Sequence, residues 1–199
     1  MIEYRRATAA DIPLIVETHI QCFQGYFLTS LGKKLLEGFY RSYFEECNLF
    51  IGAFDNGKMI GFRMGHLYPS EARRNFERKY AVRLFFRILF LCIKLDKPTI
   101  ERVMARLFRK RAAHSQLSFS EQADANSLSL CVLEEYRRRH VAIGLHTEFE
   151  SLLKQYNVKS YACSTQSGNS NERALLEKQG FSVIEEVGGK VRYIKKLEN

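Results

Sequence analysis

The chain has 199 residues, of which 46% are hydrophobic and 13% aromatic, and its formal net charge is +9. This length suits one α/β domain with an insertion and can bury a sizeable core, so no second domain is needed. No stretch reaches about 18 uncharged apolar residues, which excludes a transmembrane helix, and the N-terminal residues lack the apolar core of a signal peptide.

The five cysteines are odd in number, form no Cys-x-x-Cys pair and lie mostly in apolar stretches. This usage predicts reduced, buried thiols of a cytoplasmic protein and argues against a disulfide framework. The strong positive charge predicts attraction to anionic partners without saying which ones.

The first third of the chain predicts a strand at residues 2–6 and a helix that starts at Thr8 and Asp11. A second helix is predicted that carries Leu35, Leu36, Phe39, Tyr40 and Tyr43. Residues 49–66 predict two strands joined by the turn Asp55-Asn56-Gly57. His66 ends the second of these strands, where it could serve as a base, although a lone histidine at a strand end is more often structural.

Residues 71–111 contain 13 Lys/Arg against four Asp/Glu, an excess of nine that equals the net charge of the whole chain. Lys79, Arg83 and Arg87 recur every fourth residue in an apolar background, which predicts a cationic amphipathic helix. A second amphipathic helix is predicted after residues 96–99, from Ile100, Val103, Met104, Leu107 and Phe108. The resulting helical hairpin either packs its apolar faces on itself and the core or presents them to an anionic, partly apolar partner.

Residues 127–133 alternate apolar and polar side chains as a strand does, and residues 141–152 repeat apolar side chains at helical spacing. Between the two segments lie Arg137, Arg138 and Arg139. The free N–H groups of a first helical turn, the positive end of the helix dipole and the guanidinium charges together predict a phosphate-binding turn.

This strand, turn and helix resemble motif A of the GNAT (GCN5-related) N-acetyltransferases, whose pattern is Arg/Gln-x-x-Gly-x-Gly/Ala. Two registers fit, residues 137–142 and residues 139–144. The first is preferred because it puts Tyr136 before the leading arginine and Leu145 at the first buried leucine of the helix. His140 then stands where the family usually has glycine, and its backbone N–H can still donate if its φ is negative.

Residues 159–165 predict a fifth strand, and residues 169–181 resemble the second GNAT signature when aligned on Gly180-Phe181. In that alignment the family's asparagine falls on Asn169, and its usual tyrosine falls on Leu176. Gly180 is expected to end the helix in a left-handed conformation. Residues 182–186 and 190–195 predict a closing hairpin around Gly188-Gly189.

The resemblance implies the GNAT fold, a central mixed α/β sheet of six or seven strands with flanking helices. It implies a single domain over residues 1–199, with a basic helical-hairpin insertion at about residues 70–115 between the third and fourth strands. The implied activity is an acetyl-CoA-dependent N-acetyltransferase, in which a primary amine of a small molecule attacks the thioester directly and no metal takes part.

The resemblance also implies roles for particular residues. An acceptor pocket is expected at Tyr26, Phe27 and Thr29, and the base is expected to be Glu134, its neighbour Glu135, His66 or a chain of waters. In many family members the tyrosine at the Leu176 position protonates the departing thiolate, which leucine cannot do. The implied acetyl-CoA-binding residues are Cys131, Val132, Leu133, Arg137, Arg138, Arg139, His140, Val141, Ala142 and Asn169.

Residues 27–34 and the basic insertion resemble GNAT proteins of surface-polysaccharide pathways, which implies an amino-sugar acceptor. Residues 71–111 would then contact an anionic membrane surface or a lipid-linked sugar, and the protein would be cytoplasmic and peripheral to the membrane. A homodimer is left open. Two alternatives are a weak or inactive GNAT-like acyl-CoA-binding protein, favoured by His140 and Leu176, and a nucleic-acid-binding module, which lacks any recognised reader motif.

Overall fold

The computed structural model describes residues 1–94, 97, 99–101, 103 and 123–197. Seven strands form one mixed sheet: β1 (Glu3–Arg6), β2 (Leu49–Asp55), β3 (Lys58–Leu67), β4 (Ala125–Val132), β5 (Ser160–Gln166), β6 (Ser182–Val187) and β7 (Lys190–Lys196). Their order across the sheet is β1-β2-β3-β4-β5-β7-β6. The predicted mixed sheet of six or seven strands is confirmed.

The described helices are α1 (Ile12–Cys22), α2 (Phe27–Ser30), α3 (Lys33–Glu46), α4 (Ala72–Lys79), α5 (Ala81–Ile93), α6 (Val141–Gln155) and α7 (Ser170–Lys178). Short 3₁₀ turns lie at Ala9–Asp11 and Glu134–Tyr136. The predicted start of the first helix is confirmed, because the Asp11 carboxylate accepts hydrogen bonds from the Thr8 N–H at 2.7 Å and the Thr8 hydroxyl at 2.9 Å.

Helices cover both faces of the sheet. On one face, α1 and α3 bury Ile15, Leu36 and Tyr40 against sheet residues such as Phe62. On the other face, α6 and α7 enclose a second apolar cluster that includes Phe149 and Leu176. The sheet is thus buried on both sides, as the apolar run of β2 predicts.

Both predicted hairpins are confirmed, and their turns explain why these sequences form them. Asn56 and Gly57 have φ of 50° and 79°, and Gly188 and Gly189 have φ of 60° and 72°. Two successive positive φ angles match the right-handed twist of the flanking strands, and Asn-Gly and Gly-Gly adopt them at low cost.

The central strand β4 is irregular in two ways. Opposite the step from Met64 to Gly65 in β3, one extra residue, Leu128, is inserted in β4 as a bulge. On its other side β4 pairs with β5 in parallel only from Ala125 to Ser127. Beyond Ser127 the two strands diverge, so the sheet opens into a cleft beside β4.

The first helix of the predicted insertion is not continuous. The first cationic helix is divided at Tyr80 into α4 and α5, and the Tyr80 ring lies so close to Gly38 of α3 that a Cβ there would be 2.6 Å from it. In α4, the Phe76 ring packs against Phe39, with ring centroids 5.6 Å apart. The predicted residues Met104, Leu107 and Phe108 lie outside the described residues.

Of the two alternatives for the apolar face of this first helix, packing on the core does not hold for α5, in which Leu91 alone is buried. None of the described helices is long and apolar enough to span a membrane. All five cysteines are free thiols; Cys131 and Cys163 are buried while the other three are half-buried, so the prediction of buried thiols holds only in part.

Candidate active site

A narrow cleft lies between β4 and β5, with the Arg63 side chain of β3 as its floor and α7 as its far wall. Its apex is the last paired position of the two strands, Ser127 and Cys163. The lining residues are Arg63, Ser127, Leu128, Ser129, Leu130, Cys163, Ser164, Glu172 and Leu176. Leu128 and Ser164 are exposed there, which makes the cleft accessible from solvent.

The hydrogen-bond pattern of β4 decides which backbone groups point into this cleft. The Leu133 N–H donates to the Ile60 carbonyl at 2.8 Å, so Leu133 is directed toward β3. In an antiparallel strand, the backbone N–H and C=O groups of neighbouring residues point in opposite directions. The backbone groups of Cys131 therefore also point to β3, and those of Leu130 and Val132 point to the cleft. Of the three residues expected to pair with the cosubstrate, this geometry favours Val132 and adds Leu130, and the roles of Cys131 and Leu133 stay a prediction.

After β4 the chain forms an exposed, positively charged turn at residues 137–140. The Arg137 Nε donates to the Val132 carbonyl at 3.3 Å, which holds this side chain over the end of the cleft strand. The Arg139 guanidinium lies 5.4 Å from the centre of the Tyr136 ring. The Tyr136 hydroxyl in turn donates to Asp55 at 3.1 Å, which fixes the ring against the β2–β3 hairpin.

His140 is the N-cap of α6, and the Gly144 N–H donates to its carbonyl at 3.1 Å. The N–H groups of Val141, Ala142 and Ile143 therefore have no helical partner and are directed toward the turn. Gly144 instead lies against Tyr4, with no room for a Cβ. The packing of Gly144 on Tyr4 favours the register of residues 137–142 over that of residues 139–144.

Arg138 and His140 both have φ of 61°, in the left-handed region. The condition of a negative φ at His140 is thus not met, and the conformation explains why a glycine suits this position. A left-handed conformation costs an L-residue about 1–2 kcal/mol, whereas glycine loses about 0.5–1 kcal/mol in chain entropy on folding.

We therefore expect His140→Gly to raise the free energy of unfolding by about 0.5–1 kcal/mol, because the glycine relieves the strained backbone. The control is Arg139→Gly, one position away and not among the residues with positive φ, which should lower stability by a similar amount. Urea titration measures both. A loss of stability in His140→Gly would contradict the argument from backbone strain.

Asn169, expected to bind the cosubstrate, has another task in the structure. It is the N-cap of α7, and its Oδ1 accepts a hydrogen bond from the Glu172 N–H at 3.3 Å. Its Nδ2 donates to the Glu172 carboxylate at 2.8 Å. That carboxylate also accepts from the Thr165 hydroxyl at 2.5 Å, so Asn169 acts through the helix start that forms one wall of the cleft.

A buried arginine lies at the apex of the cleft. Arg63 is only 1% exposed, and its Nε donates to the Ser127 hydroxyl at 3.2 Å. Its Nη1 donates to Nδ1 of His146, and its guanidinium lies over the Phe149 ring at 4.9 Å. Sequence reasoning missed this residue; the available signal was a single charge in an otherwise apolar strand.

The positive charge of Arg63 is balanced by the carboxylate of Glu150, which contacts His146 and not Arg63 itself. Nε2 of His146 is 2.9 Å from Glu150, which also binds Lys195 at 2.7 Å and the Tyr161 hydroxyl at 2.6 Å. Burial alone would raise the pKa of Glu150, but these hydrogen bonds outweigh it and hold that pKa at about 2. Burial also lowers the pKa of His146, so Arg63 donates to a neutral imidazole.

The two predicted bases are not brought together. His66 pairs with Asn126 at one end of the β3–β4 ladder, whereas Glu134 follows Val132 at the other end. At about 3.3 Å per residue, six residues of strand separate these ends by roughly 20 Å. Glu134 is exposed beside the charged turn, and Glu135 forms an ion pair with Lys58 at 3.1 Å.

His66 lies on the face of the sheet that packs against α3. Its ring centre is 6.0 Å from that of Tyr43, and its Nδ1 donates to the Leu67 carbonyl at 2.9 Å. Nε2 is therefore the unprotonated nitrogen of the neutral ring, 3.5 Å from the Asn126 amide. Burial lowers the pKa of His66, which favours the neutral ring.

On the same face, the predicted acceptor residues surround a buried hydrogen-bonded chain that sequence reasoning missed. The Thr29 hydroxyl donates to the Phe23 carbonyl at 2.5 Å, so it must accept from Nε2 of His19 at 3.1 Å. Nδ1 of His19 then accepts from the Tyr40 hydroxyl at 2.6 Å. Tyr26 is exposed and Phe27 is half-buried at the mouth of this region.

No protein-family model matches the chain, and no curated protein sequence matches it. Its structure, however, resembles many solved structures. It superposes on arylalkylamine N-acetyltransferase 2 from Aedes aegypti with a TM-score of 0.66 and 14% identity, covering 99% of both chains. It superposes on the ribosomal-protein-S18-alanine N-acetyltransferase from Escherichia coli with a TM-score of 0.61 and 13% identity, covering 98% of this chain and 94% of the other.

A third similar structure is the PaiA N-acetyltransferase of Thermoplasma acidophilum in complex with coenzyme A, with a TM-score of 0.56 and 16% identity over 99% of both chains. At these identities the similarity establishes the fold. The chain has the GNAT fold expected from its two sequence motifs. Within the described part of the chain, no three His, Cys, Asp or Glu side chains are grouped so as to hold a metal ion.

Proposed function

We propose that this protein is an acetyl-CoA-dependent N-acetyltransferase that acts on a primary amine of a small molecule. One observation carries the proposal: the unpaired edge of β4 leads from the apex of the cleft directly to the positively charged turn at the start of α6. The strand edge can pair with an extended, amide-containing ligand, and the charged turn can bind an anionic group at the end of that ligand.

The residues present suit acetyl-CoA. The free N–H groups of Val141, Ala142 and Ile143, with Arg137 and Arg138 beside them, match a pyrophosphate. Leu130 and Val132 direct backbone groups toward the cleft, where they can pair with an amide-containing arm. Acetyl-CoA supplies an activated thioester. The bulge at Leu128 leaves a backbone residue unpaired beside the apex, where an N–H can polarise a carbonyl.

For the proton of the amine we favour His66 over Glu134. His66 is neutral, has an unprotonated Nε2 and lies one residue from the apex in the β3–β4 register. Glu134 lies at the phosphate end, where its carboxylate cannot reach the apex. Leu176 supplies no donor to the departing thiolate, but a thiol pKa near 8.5 makes thiolate a tolerable leaving group at neutral pH.

For the acceptor we propose an amino sugar, carried on a nucleotide or a lipid diphosphate. The support is the basic insertion beside the acceptor region, since its positive charge suits an anionic carrier. The similar structures include N-acetyltransferases named for an arylalkylamine and for a ribosomal-protein-S18 alanine, and they favour a transferase over an acyl-CoA-binding protein without activity.

The first test is the melting temperature with and without acetyl-CoA. At about 100 times Kd, the ligand should add roughly 2.7 kcal/mol, or about 5–10 °C for a chain of this size. Ala142→Glu should abolish the shift, because it places a carboxylate beside the pyrophosphate site. It should still fold, because a glutamate in the first turn of a helix is favourable.

The matched control is Ala10→Glu, the same change at an exposed alanine far along the sequence, which should keep the full shift. Release of free thiol from acetyl-CoA, measured with a panel of amines, then tests transfer. No thermal shift at millimolar acetyl-CoA would reject the proposal. A shift without thiol release for any amine would identify a binding protein instead.

A further inference from the structure

The helix α5 presents a row of large apolar side chains to solvent. Val82, Phe85, Phe86 and Ile93 are 69%, 63%, 63% and 73% exposed, and Leu89 and Phe90 are also exposed. Monomeric proteins seldom leave so many contiguous aromatic and aliphatic groups in water. We propose that α5 docks in the plane of an anionic membrane surface, with this row in contact with the lipid.

The order of residues divides α5 into three sectors. At about 100° per residue, the exposed row covers roughly 140° of the helix. On one side, the row is bordered by Arg83, Arg87 and Lys94. The remaining side of the helix carries Leu84, Ile88 and Leu91 and faces the protein. The helix therefore has an outer apolar sector, one cationic flank and an inner sector against the protein.

Among the described residues, the cationic flank has no counter-charge. The sequence of α5 contains no acidic residue, and no described carboxylate forms an ion pair with Arg83, Arg87 or Lys94. In α4, by contrast, Arg73 binds Glu77 at 2.9 Å and Arg74 binds Glu71 at 3.1 Å. The unpaired charge thus lies beside the exposed apolar row.

This combination identifies the partner by its chemistry. An interfacial helix inserts an apolar face among acyl chains while long cationic side chains extend to anionic headgroups. The charged groups of Lys94 and Arg87 lie over the Phe90 ring, at 4.8 Å and 5.7 Å from its centre. The cations and the aromatic ring therefore lie at the same depth along the proposed membrane-facing side. A helix of 13 residues is about 20 Å long, too short to span a bilayer of roughly 30 Å.

One contact couples this face to the candidate active site. Nε and Nη2 of Arg87 both donate to the Ser30 carbonyl, at 3.1 Å and 2.7 Å. Ser30 ends α2, which carries the predicted acceptor residues Phe27 and Thr29. Docking of α5 would therefore hold the acceptor side of the protein next to the membrane, which deepens the proposed function by presenting an acceptor at the lipid surface.

Sedimentation of the full chain with vesicles tests the proposal. We expect binding to phosphatidylglycerol-rich vesicles at low salt, weaker binding at high salt, and little binding to phosphatidylcholine alone. Phe86→Ser combined with Ile93→Ser should reduce binding by about tenfold or more. The control pair Val183→Ser and Val187→Ser changes two valines of β6 that are 50% and 51% exposed and should leave binding unchanged.

A charge variant separates lipid charge from apolar contact. Arg83→Gln combined with Lys94→Gln should weaken binding by about fivefold per cation and reduce its dependence on salt. Melting temperatures of all variants check the fold, and acetyl transfer to a water-soluble amine checks the proposed function separately. Transfer should be unaffected by the α5 variants.

Three results would overturn the inference. The first is no binding to anionic vesicles at low salt. The second is equal binding of the Phe86/Ile93 variant and the native chain. The third is a native chain that sediments as a dimer and does not bind vesicles, together with a Phe86/Ile93 variant that is a monomer. A second copy of the chain would then cover this face. Loss of all acetyl transfer by the native chain would instead reject the proposed function.

Discussion

Between pH 6.5 and pH 4, the free energy of unfolding is expected to fall by about 3 kcal/mol through His19 alone. Burial lowers the pKa of His19 from 6.5 to about 4. The folded protein keeps this imidazole neutral, whereas the unfolded chain protonates it below pH 6.5. The unfolded state therefore binds more protons, so this stability is complete above pH 6.5 and is lost as the pH falls toward 4.

Burial also lowers the pKa of His66 and of His146, so both act in the same direction. Urea titrations at several pH values between 4 and 7 give the slope. His19→Gln should reduce this slope. An unchanged slope in His19→Gln would show that the His19–Tyr40–Thr29 chain admits a proton without loss of structure.

Leu176→Ala is expected to lower the free energy of unfolding by about 2–5 kcal/mol. Leu176 is only 4% exposed and belongs to the apolar cluster between the sheet, α6 and α7, where it also lines the cleft. The truncation removes apolar contacts in this cluster and leaves unfilled space beside the cleft. A melting temperature lower by roughly 2–4 °C per kcal/mol should report it.

The same variant tests the role of this position in the proposed reaction. If Leu176 is a passive wall, its loss should weaken acetyl-CoA binding more than it slows turnover at saturating acetyl-CoA. Leu175→Ala, at the neighbouring half-buried position that does not line the cleft, is the control for stability without the cleft effect. A selective loss of turnover in Leu176→Ala would contradict the passive role.

Much of the fold follows from local signals in the sequence. Alternating and helical periodicities identify most described strands and the long helices, because side-chain direction repeats with the backbone geometry. Thr8 with Asp11, Asn56-Gly57 and Gly188-Gly189 mark a helix start and two hairpins for reasons of backbone dihedral and hydrogen bonding. Two motifs in the right order were then sufficient to indicate the GNAT fold.

Other features depend on residues that are distant in the chain. The bulge at Leu128 and the direction of each β4 backbone group are set by pairing with β3, and this pairing turns the backbone groups of Leu130 and Val132 toward the cleft. His140 lies where the end of β4 joins α6, and α6 is held in place by its packing in the apolar core. We attribute the left-handed φ of His140 to this connection. The sequence shows a histidine there, but only the join requires this conformation.

Burial is a second property that the sequence alone did not predict correctly, as Arg63 and α5 show. From sequence, a charge in a strand predicts exposure and a run of phenylalanines predicts burial, yet Arg63 is buried and Phe85 and Phe86 are exposed. Periodicity determines which residues share a face, and this the sequence by itself established for both segments. Whether that face meets water, a neutral imidazole or another helix depends on what the rest of the chain places opposite it, and only the tertiary structure decided that.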